Sequence, residues 1–140
     1  MLLTFLENNW PLVLVMVVSG AMLLWPMIQH RLSPMREVGA IHATQLINRQ
    51  NALMLDVRET QEYVGGRVPN AVHVPLSQLG DRSAELKRFA SRPVIAYCER
   101  GNRSRRAAGT LAKLGFAEVY LLRGGLRAWS EAGLPVEKDA

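Results

Sequence analysis

Between Trp10 and Ile28 the chain reads WPLVLVMVVSGAMLLWPMI, without one charged side chain. At about 1.5 Å per residue, a run of this length just spans a bilayer core of roughly 30 Å as a single helix. Trp10 and Trp25 stand near its ends, where indole rings favour the interface. Pro11 suits a first helical turn, and Pro26 a last turn or a kink. A cleaved signal peptide would need a basic start, yet residues 1–9 carry only Glu7. A buried core helix of a soluble domain shows a polar face, which this run lacks. Basic residues follow the run at Arg31 and Arg36 and none precede it. That bias sets the C-terminal part in the cytoplasm and the N-terminus outside. The chain thus divides into a short tail (1–9), a transmembrane helix in contact with lipid (10–29), a polar linker marked by Ser33-Pro34 (30–39) and a folded domain (40–140). Ser19-Gly20-Ala21 offers small residues for close packing against a membrane protein partner.

Past the linker, short apolar runs alternate with helical patterns. Ala43 to Arg49 predicts a helix with Leu46 and Ile47 inward. Leu53 to Val57 predicts a buried strand, Glu59 to Tyr63 a helical turn closed by Gly65-Gly66, and Val72 to Val74 a short strand. Ser83 to Phe89 predicts a helix, Val94 to Tyr97 a strand, and Ser104 to Leu114 a helix. In that helix Ala107, Ala108, Leu111 and Leu114 form the apolar stripe, and Arg105, Arg106 and Lys113 point outward. Ser104 is read as its N-cap and Gly115 as its stop. Val119 to Leu122 adds a strand, and Gly124-Gly125 turns into a helix over Leu126 to Ala132. Such alternation implies an α/β fold, a parallel sheet flanked by helices on both faces. Ligands of such sheets sit beyond the carboxyl ends of the strands, where Asp56 and Cys98 fall.

Cys98 is the only cysteine, so neither a disulfide framework nor a multi-cysteine metal site is available. It stands between the apolar run Val94 to Tyr97 and a helix start. There, unpaired N–H groups and the positive end of the macrodipole favour a thiolate. Arg100, Arg103, Arg105 and Arg106 add positive charge, and the chain as a whole carries +5. A basic cluster beside a nucleophile points to an anionic substrate. Nucleic acid is a poorer partner, because aromatic interleaving and a second basic stripe are both missing. A lone reactive thiol fits a reducing compartment. His30, His42 and His73 have no neighbours at ligand spacing, so no metal and no cofactor is expected. Phe116 and Trp129 read as core.

Together these residues resemble a single-domain rhodanese over about residues 40 to 137. Leu55-Asp56-Val57-Arg58, Glu62-Tyr63 and Gly66 to Ala71 resemble the first signature of that family. Cys98 to Arg103 resembles its six-residue active-site loop. Leu122-Arg123-Gly124-Gly125, with Trp129 four positions on, resembles its last signature. The resemblance implies a rhodanese-like sheet; with the transmembrane helix read before it, the chain is expected to be a single-pass protein of the bacterial inner membrane with the domain in the cytoplasm. It implies a sulfurtransferase. Cys98 takes the outer sulfur of an anionic donor, thiosulfate or a persulfide carrier, and a thiol or cyanide acceptor removes it. Glu99, Arg100, Gly101, Asn102, Arg103 and Ser104 form the binding loop, with Arg103 holding the donor. Asp56 and Arg58 play a supporting role, Arg58 bonding Glu62 or nearby backbone.

Two positions depart from the family pattern. Arg67 stands where histidine is usual, and Glu99 stands where many members have arginine. Glu99 would oppose a thiolate if it pointed inward, which favours a persulfide donor over thiosulfate. Two other functions remain open. One is a membrane-tethered binding module with little turnover, although inactive members usually lack the cysteine. The other is a cysteine phosphatase, although its Cys-x5-Arg loop is one residue longer than Cys98-x4-Arg103.

Overall fold

Period-two alternation decides which face of the sheet each strand residue serves. The computed structural model describes residues 1–32 and 35–139, with backbone alone at 29–32. Ser33-Pro34 and the side chains of His30 and Arg31 lie outside the described residues. The chain forms two compact units, Met1–Ser33 and Pro34–Ala140.

The first unit is helical. Helix α1 spans Leu2–Asn8 and α2 spans Trp10–Leu32, so the segment read as a tail is itself a helix. Asn9 separates the two, its side-chain amide donating to the Phe5 carbonyl at 2.9 Å and its own carbonyl accepting from Leu12 and Val13. Helix α2 continues past Pro26 and is not ended by it. The Ser19 hydroxyl donates to the Val15 carbonyl (2.7 Å), which satisfies the polar atom inside its own helix. The Trp10–Ile28 stretch is long and apolar enough to cross a membrane.

In the second unit, β1 (Met35–Val38), β2 (Leu53–Asp56), β3 (Val72–His73), β4 (Val94–Tyr97) and β5 (Val119–Leu122) form one sheet in the order β1-β5-β4-β2-β3. Every pairing is parallel. The α/β parallel sheet with helices on both faces is therefore what the alternation predicts. Strand β1 corrects the reading of residues 30–39 as linker. Only Val38 of its four residues is buried, so Met-Arg-Glu-Val shows almost no apolar signal.

Leu53, Leu55, Val94, Ala96, Val119 and Leu121 project to one face, where α5 (Ser83–Lys87) adds Leu86 and α6 (Asn102–Lys113) adds Ala107, Ala108 and Leu111. Met54, Ile95, Tyr97, Tyr120 and Leu122 project to the other, beneath α3 (Ala40–Gln50) and α7 (Gly125–Glu131). Helix α4 (Thr60–Val64) follows β2. Phe116 and Trp129 are core, as read from sequence. Strand β4 is central, and its next residue on the α6 face is Cys98.

Candidate active site

A buried thiol beside free N–H groups is a site assembled by backbone. Cys98 is 1% exposed. The chain leaves β4, turns through Gly101 at φ +111° and enters α6 at Asn102. An L-residue with a side chain would be strained at that φ, which is the reason for glycine there. The turn brings the Gly101 N–H to 2.9 Å from the Cys98 Sγ. The thiol lies 3.8 Å from the Ser104 Oγ, whose hydroxyl donates to the Gly101 carbonyl at 3.0 Å. Ser104 is thus the third residue of the helix and not its N-cap, which is Gly101.

Burial alone would push the Cys98 thiol up. The N–H groups of Ser104, Gly101 and Arg100, with the Ser104 hydroxyl, outweigh burial and hold it below the ordinary thiol value. Iodoacetamide alkylation of the full chain should therefore reach its plateau at lower pH than alkylation of a free cysteine. Ser104→Ala should move the midpoint upward and slow alkylation at neutral pH by a few-fold. An unmoved profile would show that the hydroxyl has no part in activation.

A second helix grips the same loop. Leu126 N–H donates to the Cys98 carbonyl (2.8 Å) and Arg127 N–H to the Glu99 carbonyl (3.2 Å). So close an approach requires Gly125, at φ +62°, because a Cβ there would lie 2.3 Å from the Cys98 carbonyl oxygen. Gly124-Gly125 was legible as a family signature. Its contact with the loop was not, since it depends on tertiary approach.

The arginines come next. Arg58 is 2% exposed and closes on Asp56, its Nη2 at 2.8 Å and its Nε at 3.0 and 3.1 Å. Its backbone N–H also donates to Asp56 (2.9 Å), and Nη2 reaches the Gly66 carbonyl. Arg58 therefore bonds Asp56 and, as one of the two expected partners, nearby backbone at Gly66; it does not bond Glu62. Breaking a buried pair of this kind leaves an uncompensated charge and costs about 3–5 kcal/mol, which marks the pair as scaffold. The remaining nitrogen, Nη1, takes Glu99 at 3.2 Å. Glu99 is thus held by a buried guanidinium whose single charge it shares with Asp56.

Glu62 instead pairs with Arg103, through Nη1 at 2.7 Å and Nη2 at 2.8 Å. In sequence, Glu62 carries only the Glu-Tyr signature, with nothing to link it to Arg103, 41 positions on. Arg105 pairs with Glu37 at 2.9 Å, so part of the basic cluster is internally neutralised. Arg100 is exposed and has no carboxylate partner among the described residues. Asn102 is exposed at the first position of α6.

Arg67 has a separate task. It bonds Asp139 at 2.6 Å, lies 4.4 Å above the Tyr63 ring and pairs through its backbone with Glu137, tying down the C-terminal segment. His73 stacks on Tyr63 and contacts the Arg58 carbonyl through Nε2 at 2.7 Å. A cleft of about 470 Å³ opens beside Glu99, bounded by Glu62, Gly66, Leu126 and Arg127.

A thiol stands at the end of a central parallel strand, with the Gly101 N–H turned onto it and an arginine following on the next helix. Residues 41–132 match the family model described as "Rhodanese-like domain", and the chain belongs to that family. The Bacillus subtilis protein YqhL is 44% identical over 80 residues, which are 57% of this chain and 62% of that protein. A sulfurtransferase of Allochromatium vinosum is 34% identical over 92 residues, covering 66% of this chain and 84% of its own. The crystal structure of a rhodanese-related protein from Thermoplasma volcanium superposes with a TM-score of 0.64 at 32% identity, over 73% of this chain and 97% of its own.

Proposed function

We propose that this chain is a membrane-anchored sulfurtransferase that carries sulfane sulfur on Cys98. The observation that carries the reading is the N–H cradle around a buried, activated thiol, set in a rhodanese-like domain. The Allochromatium relative named a sulfurtransferase supports the same chemistry.

In the first half-reaction the Cys98 thiolate attacks the outer sulfur of a donor. The donor S–S bond breaks with its electron pair going to the leaving group, sulfite from thiosulfate or a thiolate from a persulfide. Cys98 becomes a persulfide whose terminal anion lies among the N–H groups of the loop Glu99-Arg100-Gly101-Asn102-Arg103-Ser104. In the second, an acceptor thiolate or cyanide attacks that terminal sulfur, the Cys98 S–S bond breaks and the thiolate returns. No external oxidant or reductant is needed. Asp56 and Arg58 support the loop through Glu99, and Arg100 adds positive potential. A terminal sulfur is slender enough for a thiol this buried, and the short loop favours it over a phosphate ester. The uncharged helix Trp10–Ile28 supplies the anchor, and Arg31 and Arg36 put the domain on the cytoplasmic side.

Intact-mass measurement of the full chain in detergent, after exposure to thiosulfate or a persulfide, tests the reading. A gain of about 32 Da, one sulfur, confined to the Cys98 peptide is expected. No adduct with any sulfane donor would overturn it in favour of a tethered binding module.

A further inference from the structure

The fork of Arg103, where the family resemblance seats an anionic donor, is already filled. Both guanidinium N–H contacts run to the two oxygens of Glu62, at 2.7 and 2.8 Å. Such fork-to-fork pairs are the strongest form of the interaction. Glu62 is also fixed from its own side. Its Oε2 accepts the Glu59 N–H at 2.9 Å, and the Glu59 carboxylate accepts the Glu62 N–H in turn, closing a capping box at the start of α4. The hydrogen bond from Arg103 holds the Glu62 carboxyl down to about 2, so it stays ionised at any physiological pH. Of the arginines clustered in sequence, Arg103 is met by Glu62 and Arg105 by Glu37, while Arg100 has no carboxylate partner among the described residues. A cluster that looks wholly basic in sequence is partly neutralised in space.

We propose that Glu62 is a specificity-determining residue: as an internal anion seated in the Arg103 fork, it turns the site against doubly charged sulfur donors and toward donors of one charge or none, thiosulfonates and persulfides. This deepens the sulfurtransferase reading and rests on it. A dianion gains Arg103 only by displacing a tethered carboxylate, and it then sits near that carboxylate with only the exposed Arg100 to meet its second charge. A singly charged donor can use the loop N–H groups and leave the pair intact. A purely structural brace between α4 and α6 would instead affect every donor equally.

Thiosulfate and methanethiosulfonate form a matched pair of probes. A methyl replaces one oxyanion in the second, which removes one charge and leaves the same outer sulfur. The full chain in detergent is assayed with each donor and cyanide as acceptor. The wild type is expected to show the higher kcat/KM with methanethiosulfonate. Glu62→Gln should raise kcat/KM for thiosulfate about tenfold, mostly through KM, and for methanethiosulfonate by less than about threefold, the scale of one unit charge removed near a surface. Glu62→Asp keeps the charge and should keep the wild-type preference. Equal losses with both donors in Glu62→Gln, or an unchanged ratio, would overturn the proposal and leave Glu62 a brace. Should Glu62→Gln fail to fold, the wild-type ratio decides, and a preference for thiosulfate overturns the proposal. Absence of the Cys98 persulfide with either donor is a different failure, one that removes the sulfurtransferase reading itself and this proposal with it.

Discussion

Cys98→Ser protein is expected to transfer no sulfur, with turnover falling at least about a thousandfold for every donor and acceptor. The substitution changes one atom in a position that is 1% exposed, within hydrogen-bond reach of Gly101 N–H. A hydroxyl can accept the same bond, so the fold should persist. The chemistry should not. The cradle can lower a thiol far enough to supply thiolate near neutral pH, but a serine hydroxyl starts many orders of magnitude less acidic. The donor S–S bond then meets no competent nucleophile. Single-turnover transfer and intact mass, read beside a thermal melt, check this directly. Residual transfer by a folded Cys98→Ser chain would sink the mechanism.

Gly125→Ala should do comparable damage without touching a reacting atom. The added Cβ would lie 2.3 Å from the Cys98 carbonyl oxygen and 2.6 Å from the Glu99 carbonyl carbon and oxygen. All three are backbone atoms, so no rotamer change relieves the clash. The φ of +62° adds strain for a residue with a side chain. Relief requires α7 to withdraw, and that breaks the Leu126 and Arg127 bonds to the loop. A loss of about 3 kcal/mol or more is expected, with turnover falling at least tenfold in whatever protein remains folded. Gly109→Ala is the control. It lies inside α6, where the added methyl meets nothing within 4 Å beyond its own helix backbone, and should stabilise by up to about 1 kcal/mol. Urea melts of both variants decide the matter, and equal stability would show that α7 does not hold the loop.

These two positions also mark how far the sequence could be read. Cys98 was legible because everything that activates it lies within six residues, in a strand-loop-helix order visible as text. The sheet was legible because β2, β4 and β5 are buried on both faces and read as unbroken apolar runs. Strand β1 was not, since an edge strand with one buried residue carries no such run. The ion pairs were harder to read. Asp56 and Arg58 are only two residues apart, yet the sequence pointed Arg58 to Glu62 or nearby backbone, and Glu62–Arg103 and Arg58–Glu99 each bridge 41 positions. Local charge counting therefore saw a basic patch where folding brings in carboxylates from α4 and turns Glu99 onto Arg58.

The way Cys98 is held has a kinetic consequence. Its side chain is fixed by loop N–H groups and its carbonyl by α7, and its sulfur is almost wholly enclosed. One covered sulfur offers one line of approach, which two reactants cannot share. The first product must depart before the second reactant can arrive. Initial rates measured at several fixed acceptor concentrations should then fall on parallel double-reciprocal lines, the mark of a ping-pong cycle with no ternary complex.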